Sequence, residues 1–272
     1  QDADLERLRA LAPGYLHTEI DLGADGWREK LERAAERATA LGVALNVSAV
    51  ARRGADDGWG ELAVATRGLP VAIVFAFPPL HEHVTFPRDD LATHPETIEA
   101  ARSAFGAAGS AVRIGGGTRA YFTELNRAVD FLPVRELDAA TFTINPQVHA
   151  FDNLSIMETI AAQSDVVRSA QAIVGDRPLF VGPITLRPQW NPNATSAPSP
   201  SGPDELPPSV DPRQLSLFAA AWTVGSLKRM ADDGVDAATY FELAGWDMET
   251  GTPRRATLEA VGLGWVAEEL EG

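Results

Sequence analysis

Glu124 and Glu242 each follow an apolar, β-rich run, and each sits among aromatic residues: Tyr121 and Phe122 around the first, Tyr240, Phe241 and Trp246 around the second. Carboxylates set in aromatic walls suit a sugar-like ligand, whose CH faces stack on the rings while its hydroxyls meet the carboxylates. Desolvation in such walls also raises a carboxyl pKa toward values useful for proton transfer. The plainer reading of either residue is an ion pair with Arg119 or Arg127. His149, with Asp152 three positions on, has the makings of a base and its orienter. Its alternative is a hydrogen-bonded loop histidine. Glu124, Glu242 and His149 are the candidate catalytic groups. Tyr121, Asn126, Asn145, Asp152, Arg187, Trp190, Tyr240 and Trp246 are the candidate substrate-binding ones.

Other chemistries are weaker. His81 and His83 flank Glu82 in PPLHEH, but a catalytic metal usually takes three protein ligands and no further His stands at helical spacing. An ordinary polar loop is the better reading, and no metal or cofactor is expected. Gly115, Gly116 and Gly117 match neither a Walker loop nor a dinucleotide fingerprint. They are expected to let the chain turn sharply off a strand and to leave room above it. No G-x-S-x-G elbow supports a serine nucleophile, and the absence of cysteine excludes thiol chemistry and disulfides.

The elements that must carry these groups alternate. Seven apolar runs read as strands: 14–22, 43–51, 70–77, 111–115, 139–145, 178–186 and 235–243. Several are apolar throughout, as in parallel strands buried on both faces. Helical patterns fall between and around them, at 5–11, 27–41, 95–105, 155–174, 211–232 and 256–270. Gly42 reads as a C-cap, Pro95 as a first-turn proline, and Ser155 with Glu158 as a capping box. Strand–helix alternation predicts an α/β domain with a parallel sheet. A doubly wound sheet would announce itself by a Gly-rich turn after the first strand, and none is there. The expected fold is therefore a (β/α)8 TIM barrel over residues 1–272 as a single domain, one strand short or borrowing one. The stretch 188–212 holds 8 prolines. It reads as an ordered loop at the C-terminal mouth, where barrels place their functional groups, with a disordered linker as the alternative.

Charge and composition narrow the partners. The 272 residues carry 23 Lys plus Arg against 38 Asp plus Glu, a net charge of −15. No basic cluster is available to neutralise nucleic-acid phosphates or to meet an anionic membrane. No apolar stretch approaches the roughly 20 residues of a membrane span. A small-molecule ligand and a cytoplasmic location are expected, with no nucleic acid and no membrane; oligomeric state is not legible.

The stretches IGGGTRAYFTELNR (114–127), FTINPQVHAFDNLSIMETIAAQ (142–163), VGPITLRPQWNPNATS (181–196) and RQLSLFAAAWTVGSLKRMADDGVDAATYFELAGW (213–246) resemble the barrel domain of the D-apionate lactonase family. The resemblance is strong over the C-terminal part of the chain and holds only in outline before Ala111, where PPLHEH departs most. It implies a glycosidase-like barrel that opens D-apionolactone to D-apionate in bacterial catabolism of the plant sugar apiose. Glu124, Asn126, Asn145, His149, Asp152 and Glu242 are the residues carried over with the matching motifs. Members of the family carry a further upstream strand and additional domains, so this chain reads as a barrel-only relative or a fragment.

Two strand counts follow. With a strand missing upstream, Glu82 follows strand four, Glu124 strand five and Glu242 strand eight. With 14–22 as strand one, Glu124 follows strand four and Glu242 strand seven, as in retaining glycosidases with carboxyls about 5–5.5 Å apart. The helix at 211–232 running into a last strand favours the first count. The leading expectation is a sugar-lactone hydrolase working by acid/base-assisted water attack. The alternatives are a retaining glycoside hydrolase using two Glu, and a non-catalytic carbohydrate-binding barrel.

Overall fold

The computed structural model describes residues 2–79, 90–147, 149–188 and 210–240. Seven strands and seven helices alternate among them: α1 (Asp2–Leu11), β1 (Tyr15–Asp21), α2 (Trp27–Leu41), β2 (Ala44–Val50), α3 (Trp59–Ala65), β3 (Val71–Phe77), α4 (Pro95–Ala107), β4 (Arg113–Tyr121), α5 (Phe122–Arg127), β5 (Ala140–Ile144), α6 (Asn153–Val174), β6 (Leu179–Ile184), α7 (Leu217–Asp232) and β7 (Ala237–Tyr240). Strand order in the sheet follows chain order. The chain divides into two compact units, Asp2–Thr143 with Ala170–Phe180, and Ile144–Ser169 with the residues from Val181 onward.

In the first unit, β1 to β5 pair in parallel with their sequence neighbours. β3 is apolar at every position and almost wholly buried, which is why its pattern does not alternate. Ile73, Phe75 and Phe77 point to one face of β3. They form a cluster there with Val50, Ala139 and the partly buried Phe180. Burying each such large side chain contributes roughly 1.5–3 kcal/mol. α2 buries Trp27, Leu31, Ala35 and Ala38 at helical spacing. It ends at Gly42, whose φ of 70° and bonds to Ala38 and Thr39 close the last turn as read from the sequence. α3 carries no sequence signal of comparable strength: it is seven residues long and its N-cap is a left-handed Gly58 without side-chain capping.

The glycines at 115–117 overturn the expectation of a turn. They lie inside β4, which runs on to Tyr121. A Cβ at Gly115 would meet the Phe75 ring at 2.7 Å and one at Gly116 the Thr93 side chain at 2.7 Å. At Gly117, where φ is +139°, it would lie 2.1 Å from the Thr141 carbonyl oxygen. Thr93 fills the space that Gly116 leaves. Its hydroxyl donates to Ala76 at 2.7 Å and accepts from the Gly117 amide at 3.0 Å.

In the second unit, α6 starts two residues earlier than the Ser155–Glu158 box. Asp152 does the capping, its Oδ1 accepting from the Ser155 amide at 3.0 Å and Oδ2 from the Ser155 hydroxyl at 2.7 Å. The helix read over 211–232 is two elements. A short 3-10 turn at Pro212–Leu215 gives way at Ser216, which is extended (φ −108°, ψ 164°), and α7 begins at Leu217. The expected helix at 256–270 lies outside the described residues, as do PPLHEH beyond Pro79 and residues 189–209 of the proline-rich stretch.

Candidate active site

In the first unit, β4 hands directly to α5. Tyr121 is the last strand residue and the N-cap of a six-residue helix that presents Glu124 in its first turn. Glu124 is 6% exposed. Its Oε1 accepts from Arg127 Nη1 at 3.0 Å, while Oε2 is enclosed and has no hydrogen-bond partner. The ion pair suggested by sequence is thus half right: Arg127 takes one oxygen, but its own side chain is 58% exposed, so it neutralises little. Burial raises the Glu124 carboxyl above its ordinary pKa, against smaller opposing effects of backbone amides and Arg127. A carboxyl so placed holds its proton to higher pH than an exposed one, which suits it to proton transfer. Tyr121 is half-buried and Asn126 exposed on the same turn, and Phe122 meets Phe142 edge-on at 6.2 Å.

A second group in this unit was not picked out from sequence. His17 and Phe75 lie on one face of the sheet with ring centroids 6.5 Å apart, the face that carries Val50. Alternation therefore places Glu19, Asn46 and Ser48 on it too. Register sets His17 opposite Asn46 and Glu19 opposite Ser48. Asn46 and Ser48 are 3% and 6% exposed. Arg119 Nη2 comes from β4 to 3.9 Å from Glu19 Oε2. His17 Nε2 is enclosed without a hydrogen-bond partner, and burial lowers the pKa of the ring, with Glu19 opposing, so the ring is neutral at physiological pH. The signal was present as polar residues at i, i+2 within the apolar runs GYLHTEIDL and VALNVSAVA, but only pairing shows that they share a face.

In the second unit, Asn145 Oδ1 accepts from the Gln147 amide at 3.0 Å and shapes the turn off β5, while its Nδ2 is enclosed without a partner. Gln147, 1% exposed, donates to the Leu186 carbonyl at 2.5 Å and to Asp211 Oδ2 at 2.6 Å. Asp211 is fully buried and also accepts from the Arg213 amide, Nε and Nη2 at 2.9, 2.8 and 2.7 Å. Arg213 reaches on to the Phe151 carbonyl and Asn153. Burial would raise the Asp211 pKa, but the hydrogen bonds from Arg213 and Gln147 overcome it and hold the carboxyl below its ordinary value. Arg187 donates to the Val210 carbonyl at 3.3 Å, and its Nε lies 3.6 Å from Asp211. His149 is exposed. Asp152 is engaged with Ser155, which lowers its pKa, and no hydrogen bond joins it to His149 among the described residues. Tyr240 donates to Ser226, whose hydroxyl donates to Gln163, tying β7 to α7 and α6. Trp190, Glu242 and Trp246 lie outside the described residues.

Glu124, Tyr121 and Asn126 therefore share one turn, and Asn145, Asp152 and Arg187 belong to the other unit. Among the described residues no group of three or more acidic, His or Cys side chains could hold a metal, and no helix is long and apolar enough to cross a membrane.

Comparison with known proteins places the chain. The family described as D-apionate lactonase, TIM barrel domain, matches residues 1–259. The chain belongs to that family, and its fold is a TIM barrel. A curated relative, the D-apionate lactonase of Brucella anthropi, is 34% identical over 180 residues, which is 65% of this chain and 28% of the relative. The chain thus spans less than a third of that protein's length. Among solved structures, an active-site mutant of Rhizomucor miehei β-1,3-glucanosyltransferase in complex with laminaritriose has a TM-score of 0.50 at 14% identity, covering 88% of this chain and 80% of that one. A trimodular GH5_4 subfamily endoglucanase reaches 0.54 at 10% identity, covering 96% and 55%. A hyperthermophilic endo-β-1,4-glucanase in complex with substrate reaches 0.50 at 10%, covering 96% and 89%. At such identities the likeness is one of fold.

Proposed function

We propose that this member of the D-apionate lactonase family is the catalytic barrel of a carbohydrate-lactone hydrolase, with Glu124 handling the proton of the attacking water. The observation that carries the reading is the Glu124 carboxyl itself: buried after β4, with one oxygen left without a partner and a pKa raised by desolvation. The family match and the name of the Brucella anthropi relative support the substrate class, with D-apionolactone the specific candidate.

In this reaction the water oxygen bonds to the lactone carbonyl carbon as Glu124 takes its proton. The tetrahedral oxyanion is met by Arg and Asn donors, an interaction worth on the order of 3 kcal/mol per donor. The bond to the ring oxygen then breaks, and that oxygen takes the proton held by Glu124. The product is an open hydroxy acid that ionises and releases one proton. The sequence balances without a cofactor. Asn126 and Tyr121, on the same turn as Glu124, are candidate contacts to the sugar. A cytoplasmic site of action fits catabolism of a small sugar acid and belongs to the same proposal.

The test is proton release from D-apionolactone by wild type and Glu124→Gln, with circular dichroism as the folding control. A second reading, a retaining glycoside hydrolase, is favoured by one observation: a buried glutamate, Glu124, directly follows a barrel strand. It predicts a glycosyl-enzyme on Glu242. Covalent labelling of Glu242 by a fluorosugar, with no lactone turnover, would replace the first reading with this one.

A further inference from the structure

The interior of a TIM barrel is ordinarily filled by layers of branched aliphatic side chains. β3 comes close to that rule with Ile73, Phe75 and Phe77. β1 and β2 do not. On the same face they carry two polar rows, His17 beside Asn46 and Glu19 beside Ser48. Burying an amide or hydroxyl without a compensating hydrogen bond is unfavourable. Among the described residues no hydrogen bond joins these four side chains to one another, so the rows are not a self-satisfied network of the kind that would explain them structurally. Glu19 and Ser48 stand two residues before the ends of their strands, at Asp21 and Val50, on the side where barrels bind their ligands.

We propose that these two rows, with Arg119 facing Glu19, form a binding subsite for the vicinal hydroxyls of a small polyhydroxylated ligand; as a sugar-lactone subsite it rests on the hydrolase reading above. The donor and acceptor inventory fits. Neutral His17 offers one of each, Asn46 and Ser48 offer both, Glu19 accepts and Arg119 donates, and every sugar hydroxyl needs one donor and one acceptor. An anionic ligand fits less well, because the guanidinium of Arg119 has the Glu19 carboxylate 3.9 Å away. A metal would lack ligands, since no cluster of three is present among the described residues. The apolar side of the subsite is aromatic: Phe75 lies 5.5 Å from Phe180, and Phe180 lies 6.2 Å from Tyr15.

The experiment follows the His17 imidazole nitrogens by NMR in protein carrying 15N-histidine, assigned with His17→Gln. D-apionolactone, D-apionate and hydroxyl-free γ-butyrolactone are titrated separately, alongside turnover of the lactone. The subsite predicts saturable movement of the His17 signals by the hydroxylated lactone and binding of γ-butyrolactone at least about tenfold weaker. Ser48→Ala and Asn46→Leu, each with an unchanged circular dichroism spectrum, lose about tenfold in affinity or KM with a smaller change in kcat. Movement of His17 without turnover keeps the subsite and removes the hydrolase reading. Turnover with His17 unmoved and KM unchanged in Ser48→Ala removes the subsite and keeps the hydrolase. Equal binding of γ-butyrolactone overturns hydroxyl recognition.

Discussion

Asp211→Asn is the most informative structural perturbation in the second unit. Asp211 is fully buried and accepts four hydrogen bonds, three from Arg213 and one from Gln147. Removing one member of a buried ion pair costs about 3–5 kcal/mol, because the other charge is left uncompensated. The Arg213 side chain is 21% exposed, so water can reach part of its charge, and the lower end of that range, about 3 kcal/mol, applies. The asparagine also turns an amide toward donors that had met an oxygen. For a protein of this size such a loss lowers Tm by roughly 6–12 °C. The pH dependence fixes the cause. A carboxyl held below its ordinary pKa in the fold contributes stability that is present above the unfolded value and lost as pH falls through the folded value. The gap between wild type and Asp211→Asn in urea unfolding is therefore constant from pH 8 down to the unfolded carboxylate value of 3.8 and narrows below it. A gap under about 1 kcal/mol, or one that does not change in acid, would refute the claim that Asp211 is a buried anion held by Arg213 and Gln147.

Two further outcomes follow from single positions. Gly117→Ala places a Cβ 2.1 Å from the Thr141 carbonyl oxygen at a φ of +139°; it should cost about 3 kcal/mol by urea unfolding, and a loss under about 0.5 kcal/mol would contradict the packing described for β4. Glu124→Gln should be more stable than wild type by about 1 kcal/mol at pH 8, because an ionised buried carboxylate without a partner on one oxygen is replaced by a neutral group. The Glu124 pKa is raised in the fold, so wild type gains stability as pH falls through that value toward its unfolded 4.5, and the advantage of the variant disappears there. A variant less stable than wild type at pH 8 contradicts the desolvation argument.

What could be read from sequence divides by locality. α2 was legible to the residue because its signals are local: an apolar stripe from Trp27 to Ala38 and Gly42 just beyond. All seven strands were legible as β-rich runs, most plainly β3, which is apolar throughout and so nearly buried that it needs no partner to reveal it. β4 was cut short because three glycines look like a turn, whereas their reason lies in Phe75, Thr93 and Thr141, distant in sequence. Glu124 draws attention in the sequence by its place after a strand among aromatics, and its burial adds to that. The rows formed by His17, Glu19, Asn46 and Ser48 do not, because the register that pairs them is non-local. The Gln147–Asp211–Arg213 network escaped for the same reason, Gln147 lying more than sixty residues from the other two. The expected partnership of His149 with Asp152 rested on proximity in sequence alone, and the carboxylate was already committed to capping α6.

The central claim, that Glu124 serves the opening of a sugar lactone, is tested most directly by pH-stat measurement of D-apionolactone hydrolysis by wild type and Glu124→Gln at equal, folded concentrations. The account predicts proton release well above the spontaneous rate for wild type and a fall of about 10²–10⁴-fold in the variant, the range for loss of a positioned acid or base. Equal rates in the two proteins, or no release by wild type above the spontaneous rate, would contradict it.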